Sequence, residues 1–141
     1  MKWVTRQRPK IDRVACPWLV KRFIDSQPEF LYVPADQVVH IAAEVGGIPY
    51  DVPNVELGHH GTKCSFDAFL DKYRLRDPAL HRLATIIRGA DTGCLDLAPE
   101  CPGLYAISVG LSQTFNDDLA MLEQGMVVYD ALYAWCHGKL S

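Results

Sequence analysis

A chain of 141 residues with 49% hydrophobic and 22% charged side chains has the make-up of one globular domain with a buried core, not of a disordered segment. A net charge of −3 and a pI near 5.9 argue against a broad nucleic-acid surface, and no apolar run approaches the ~20 residues that span a bilayer. No apolar leader follows Met1, and the five cysteines are an odd number without a CxxC pair, so the expectation is a cytoplasmic chain with free thiols.

In chain order, residues 2–5 carry strand-favouring side chains. Residues 13–25 place Cys16, Leu19, Val20, Phe23 and Ile24 at helical spacing, with Pro17 tolerable only near the first turn. Residues 29–33 read as a second strand ending at Pro34, residues 36–45 as a helix closed by Gly46-Gly47, and residues 48–52 as a third short strand. Ser65 caps a short helix with Phe66, Phe69, Leu70 and Tyr73 on one face. Asp77-Pro78 opens another, whose stripe is Leu80, Leu83, Ala84 and Ile87. An apolar helix follows over about 102–111, with Leu104, Ile107 and Leu111. The last helix is capped by Asn116, carries Asp117 and Asp118 in its first turn, and runs to about His137. It buries Leu119, Leu122, Met126, Tyr129, Tyr133 and Cys136, and its outer side, with Tyr133 and Trp135, is a candidate homodimer face. The expected architecture is α+β: a helix-dominated single domain, residues 1–141, with about three short strands near the N-terminal end.

The densest chemistry lies in Glu56-Leu57-Gly58-His59-His60-Gly61, followed by Cys64 and Asp67. Imidazole nitrogen and carboxylate oxygen are the donors that Zn, Fe and Mn accept, and glycines let a loop turn its side chains toward one point. The segment is read as a metal-binding loop with Glu56, His59, His60 and Asp67 as candidate ligands. Of the two adjacent histidines one can ligate while the other supports it. The alternative is a solvated loop whose histidines hold neighbouring backbone. Asp91 continues the Ala84, Ile87 stripe and faces inward, where a carboxylate needs a cation, a hydrogen bond or an arginine such as Arg88 or Arg13.

Three further residues are candidates for the chemistry itself. Arg13, with Arg6 and Lys10 in a basic N-terminal stretch, offers a guanidinium for an oxyanion. Asp12 either caps the helix that follows or orients Arg13. Cys64, just before a helix N-terminus, is either a buried inert thiol or one with a favoured thiolate.

Several blocks together resemble a known family. They are residues 6–19 (RQRPKIDRVACPWL), 55–61 (VELGHHG), 64–70 (CSFDAFL), 88–92 (RGADT) and 129–136 (YDALYAWC). In that order, from about residue 3 to residue 136, they are similar to the C-terminal domain family of the bacterial chromate-resistance protein ChrB. The resemblance implies a role in resistance or response to chromate, and a stand-alone form of a domain that longer relatives join to an N-terminal or rhodanese-like domain. Two functions follow as expectations. One is a small metalloenzyme, an oxidoreductase or hydrolase, whose divalent Fe, Mn or Zn centre acts on an oxidant or oxyanion. The other is a chromate-sensing binding module without turnover, in which Cys64 is open to oxidation. Neither membrane nor, for this domain alone, nucleic acid is an expected partner.

Overall fold

The computed structural model describes residues 1–140, with side chains described as far as Gly138. Its centre is strand β1 (Lys2–Arg6), flanked by β2 (Glu29–Val33) and β3 (Ile48–Pro49), all parallel, in the order β2-β1-β3. Trp3 is opposite Phe30 on one side and Ile48 on the other. Parallel strands are buried on both faces, and Trp3, Val4 and Thr5 all are. Side chains alternate across the pleat. Trp3 therefore enters the main core with Trp18, Phe66, Phe69 and Leu83, while Val4 meets a smaller core of Val38, Ala42 and Val52.

Helix α1 (Asp12–Leu19) carries the chain away from β1 and runs on as a π-helical turn, Val20–Ile24. Pro17 lies deeper in α1 than its expected place in the first turn. It withholds an N–H from the Arg13 carbonyl, and the Tyr32 hydroxyl fills the gap by donating to that oxygen at 3.0 Å. After β2, a 3-10 turn (Ala35–Gln37) leads into α2 (Val38–Val45), which ends at Gly46. The third strand is shorter than expected. Pro49 lacks a donor for the ladder and the backbone turns at Asp51 (φ 54°), although Tyr50 N–H still reaches the Val4 carbonyl at 3.0 Å.

The remaining helices are α3 (Ser65–Lys72), α4 (Pro78–Thr92), α5 (Cys101–Thr114) and α6 (Asp118–Leu140). Asp77 caps α4, accepting from Ala79 N–H at 2.9 Å ahead of Pro78. Two caps are shifted by one residue from the expected ones. Cys64, not Ser65, precedes α3, and Asp117, not Asn116, accepts from Ala120 N–H at 3.0 Å to start α6. Three apolar residues expected inside are outside: Phe23 in the π-helical turn, and Ile107 on α5 and Leu119 on α6, the last two about half exposed, while Ser108 is buried in place of its neighbour. Tyr133 turns onto Trp18 and Phe23, leaving Trp135 as the more exposed aromatic of the pair. The outcome is the expected helix-dominated α+β fold. No helix among the described residues is long and apolar enough to cross a membrane.

Candidate metal centre

The carboxyl ends of parallel strands are where side chains and helix termini converge, above all where successive connections depart to opposite sides. Here β1 connects through α1 to β2 on one flank, and β3 returns on the other. Arg6 ends β1, Asp12 opens α1, and Asp51 stands just beyond β3. Two residues come from elsewhere: His59 from the loop before α3, and Asp91 from the last turn of α4.

The loop is held by its hydrophobic member. Leu57 is fully buried, and its carbonyl accepts from Asp51 N–H at 2.8 Å. Gly58 is demanded by space, since a Cβ there would sit 2.9 Å from the Val52 carbonyl oxygen. Two neighbours on this tether then diverge. His59 Nε2 points inward and lies 3.1 Å from Asp51 Oδ1, 3.2 Å from Asp91 Oδ2 and 3.5 Å from Asp12 Oδ2. His60 points out and its Nε2 pairs with the Glu56 carbonyl at 2.7 Å.

Each acid in this cluster is anchored by a second set of partners. Asp12 is wholly buried and accepts from the N–H groups of Ser65 (2.8 Å) and Phe66 (3.0 Å), with the Cys16 thiol 3.3 Å away. Those amides are orphan donors at the start of α3, so a carboxylate from α1 caps a helix more than fifty residues on. Asp51 accepts from Ser65 Oγ at 2.7 Å and Arg6 Nη2 at 3.2 Å, with Arg13 Nε 3.3 Å away. Asp91 has no arginine partner in this arrangement, because Arg88 forms a two-pronged pair with Asp67 at 3.1 Å on both arms.

The crowding of carboxylates around one imidazole shifts the titrations of His59, Asp91 and Asp51. The hydrogen bond to Asp12 raises the His59 pKa to about 9 against the opposing effect of burial, with Asp51 and Asp91 adding to the rise. Burial pushes Asp91 up to about 7, helped by the charges of Asp12 and Asp51. Asp51 is raised too, first by burial and then by Asp12. Without a further cation, three acids face His59, Arg6 and Arg13.

Of the candidate ligands named from sequence, His59 and Asp91 meet, and they are joined by Asp12, which the sequence offers only as a helix cap or as the partner of Arg13. Asp12, His59 and Asp91 offer donor atoms that all lie within 4.8 Å of one another, and no other such trio of His, Cys, Asp or Glu occurs among the described residues. Two ligands on one ion with ~2.1 Å bonds stand at most roughly 4.2 Å apart, so the cluster fits a single cation after sub-ångström contraction. Glu56 is not brought to it: the side chain is exposed and ion-paired with Lys72. His60 faces solvent. Asp67 is occupied by Arg88 and by the Cys64 N–H at 3.0 Å, completing the cap of α3. Cys64 is fully buried, and its thiol is pushed up by burial and by Asp12 and Asp67, which fits the buried inert alternative and not the favoured thiolate. Arg13 is spent on Asp51 and on the carbonyls of Arg6 (3.2 Å) and Gln7 (3.1 Å). Arg6 is the arginine that lines an open pocket of about 350 Å³ beside His59, with Asp51, Val52 and Pro53.

Sequence reasoning passed over Asp51, which lay inside an expected strand. Its signal was position: an acid directly before a Pro-containing turn, where a strand of a parallel sheet ends.

With this geometry in view, two comparisons with known proteins bear on it. The model of the ChrB C-terminal domain family matches residues 3–136. The chain belongs to that family. It is 34% identical over 133 residues to Protein ChrB of Cupriavidus metallidurans, an alignment covering 94% of this chain and 40% of that protein. The chain therefore spans about two-fifths of the length of this ChrB relative. No solved structure matches it.

Proposed function

We propose that this member of the ChrB C-terminal domain family has a chromate-related role and binds a divalent transition metal through Asp12, His59 and Asp91. The observation that carries the reading is the convergence of three buried or half-buried carboxylates on one imidazole nitrogen at the sheet's carboxyl edge. Mixed imidazole and carboxylate donors suit Fe, Mn or Zn. A cation with three protein ligands keeps open positions and supplies Lewis-acid or redox chemistry to water, an oxidant or an oxyanion.

The protein's own groups have separable tasks. Asp12 is pre-aimed by the α3 amides, so little order must be created when it ligates. Asp51 holds Arg6 and Arg13 against the cluster and accepts from Ser65, which keeps it beside His59. Arg6 reaches the pocket rim and is the guanidinium best placed for an anion there.

Elemental analysis of protein purified without chelator, followed by titration of metal-stripped protein with Mn²⁺, Fe²⁺ and Zn²⁺, tests the reading. About one equivalent per chain, lost in Asp91→Ala, is expected. Metal-free protein that takes up none of the three ions rejects it.

One observation favours a second reading, an oxyanion-binding module without turnover. Arg6 Nε is buried and has no hydrogen-bond partner, next to the open pocket. Calorimetry with chromate and sulfate distinguishes the two: binding by metal-stripped protein that weakens in Arg6→Gln supports the module.

A further inference from the structure

The residue immediately before Asp12 has an improbable backbone. Ile11 sits at φ 32°, ψ −92°, outside the regions open to a β-branched L-residue. Something must hold it there. Its carbonyl accepts from Ala15 N–H at 2.8 Å and Val14 N–H at 3.1 Å, both local to the helix, and from the buried Tyr129 hydroxyl at 3.0 Å. Tyr129 comes from α6, 118 residues along the chain.

The contact between α6 and the start of α1 is close by construction. A Cβ on Gly125, one turn before Tyr129, would stand 2.4 Å from Val14 Cγ1. The absence of a side chain there lets α6 approach until the Tyr129 hydroxyl meets the strained turn.

The peptide group is planar, so fixing the Ile11 carbonyl also fixes the Asp12 N–H on its other edge. One peptide unit therefore stands between the Tyr129 hydroxyl and one of the proposed ligands, Asp12, which it orients through the Cα that follows.

We propose that Tyr129 is a positioning residue of the metal centre, holding the Ile11–Asp12 peptide so that the Asp12 carboxylate is aimed at the cation it would share with His59 and Asp91; this rests on the metal-binding reading above. Tyr129 touches no ligand atom itself. Its effect passes through the backbone, as expected of outer partners, whose loss costs roughly 10–100-fold in metal affinity.

The test is titration of metal-stripped wild type, Tyr129→Phe and Tyr133→Phe with Co²⁺, reading both the dissociation constant and the visible absorption bands of the bound ion. Tyr133→Phe is the control: it also removes a hydroxyl from α6, but one that donates to Asp77 at the start of α4. The expected result is an affinity loss of roughly ten-fold with altered bands in Tyr129→Phe, and wild-type affinity and bands in Tyr133→Phe. Unchanged affinity and bands in Tyr129→Phe, even with a lowered melting temperature, overturn the positioning role while leaving metal binding intact. Equal losses in both variants overturn it as well, since any weakening of α6 would then suffice. Absence of Co²⁺ binding by wild type, together with failure to take up Mn²⁺, Fe²⁺ or Zn²⁺, overturns the metal reading and this proposal with it.

Discussion

His59 and His60 are identical in chemistry and adjacent in sequence, yet the fold gives them opposite surroundings. His59 faces three carboxylates delivered by three different elements, while His60 faces its own loop's backbone and solvent. The same division runs through the acids. Glu56 meets a surface lysine, and Asp67 an arginine, so each has a local charge partner. Arg6 and Arg13 both reach Asp51, so Asp12 and Asp91 share the imidazole of His59. What distinguishes a candidate site from a polar loop here is the gathering of carboxylates from separate elements on one imidazole in a buried place, not the density of ligand-type residues along the chain.

Substitution at the two histidines breaks the contrast most directly. His59→Ala is expected to weaken Zn²⁺ or Mn²⁺ binding by about 100-fold or more, whereas His60→Ala stays within about two-fold, both read by titration of metal-stripped protein. Equal losses would mean that the loop rearranges on binding and that the inward and outward positions are not distinct.

A smaller but separable effect concerns the fold. Asp12 caps α3 whether or not a metal is present, so Asp12→Ala should destabilise the metal-stripped protein by about 2–3 kcal/mol in urea unfolding. His60→Ala, by contrast, should leave the urea midpoint unchanged. If Asp12→Ala also leaves it unchanged, the link between α1 and α3 is not the anchor described above.

The smallest expected signal is the pH dependence of metal-stripped protein. His59 holds its proton with a pKa of about 9 when folded, against 6.5 for the unperturbed group. The folded state binds the proton more tightly, so this contribution is complete below about pH 6.5 and is lost as pH rises through about 9. Asp91, raised from 3.8 to about 7, adds a decline of the same sign at lower pH. Melting temperatures measured in chelator should therefore drift down between pH 6.5 and 9, and the upper part of that drift should vanish in His59→Gln. A flat profile in the wild type would remove the charge argument for the cluster.

Much of this molecule was legible before any coordinates. Strands at 2–5 and 29–33, the Asp77-Pro78 helix start and the inward turn of Asp91 all follow from local rules, because capping, proline geometry and hydrophobic spacing act over a few residues. Where those rules failed, a distant partner was responsible. Pro17 is tolerated inside α1 because Tyr32, on β2, replaces the missing hydrogen bond. Ser65 is displaced from capping because Asp12, from α1, already serves its amide. Of the two alternatives for Cys64, the inert one fits, because burial first, and then the charges of Asp12 and Asp67, raise a thiol that the helix start alone would favour as a thiolate.

Residue order was enough to establish a small α+β domain of the ChrB family and the segments that pack it, and it put His59 and Asp91 among the candidate ligands while leaving Asp51 inside a strand. Which of those side chains meet was settled by the parallel sheet, whose carboxyl edge gathers the ends of β1 and β3, the start of α1 and the end of α4. Short-range preferences act along the chain, but convergence of Asp12, Asp51, His59 and Asp91 depends on contacts between residues tens of positions apart, and spacing in sequence carries no information about that.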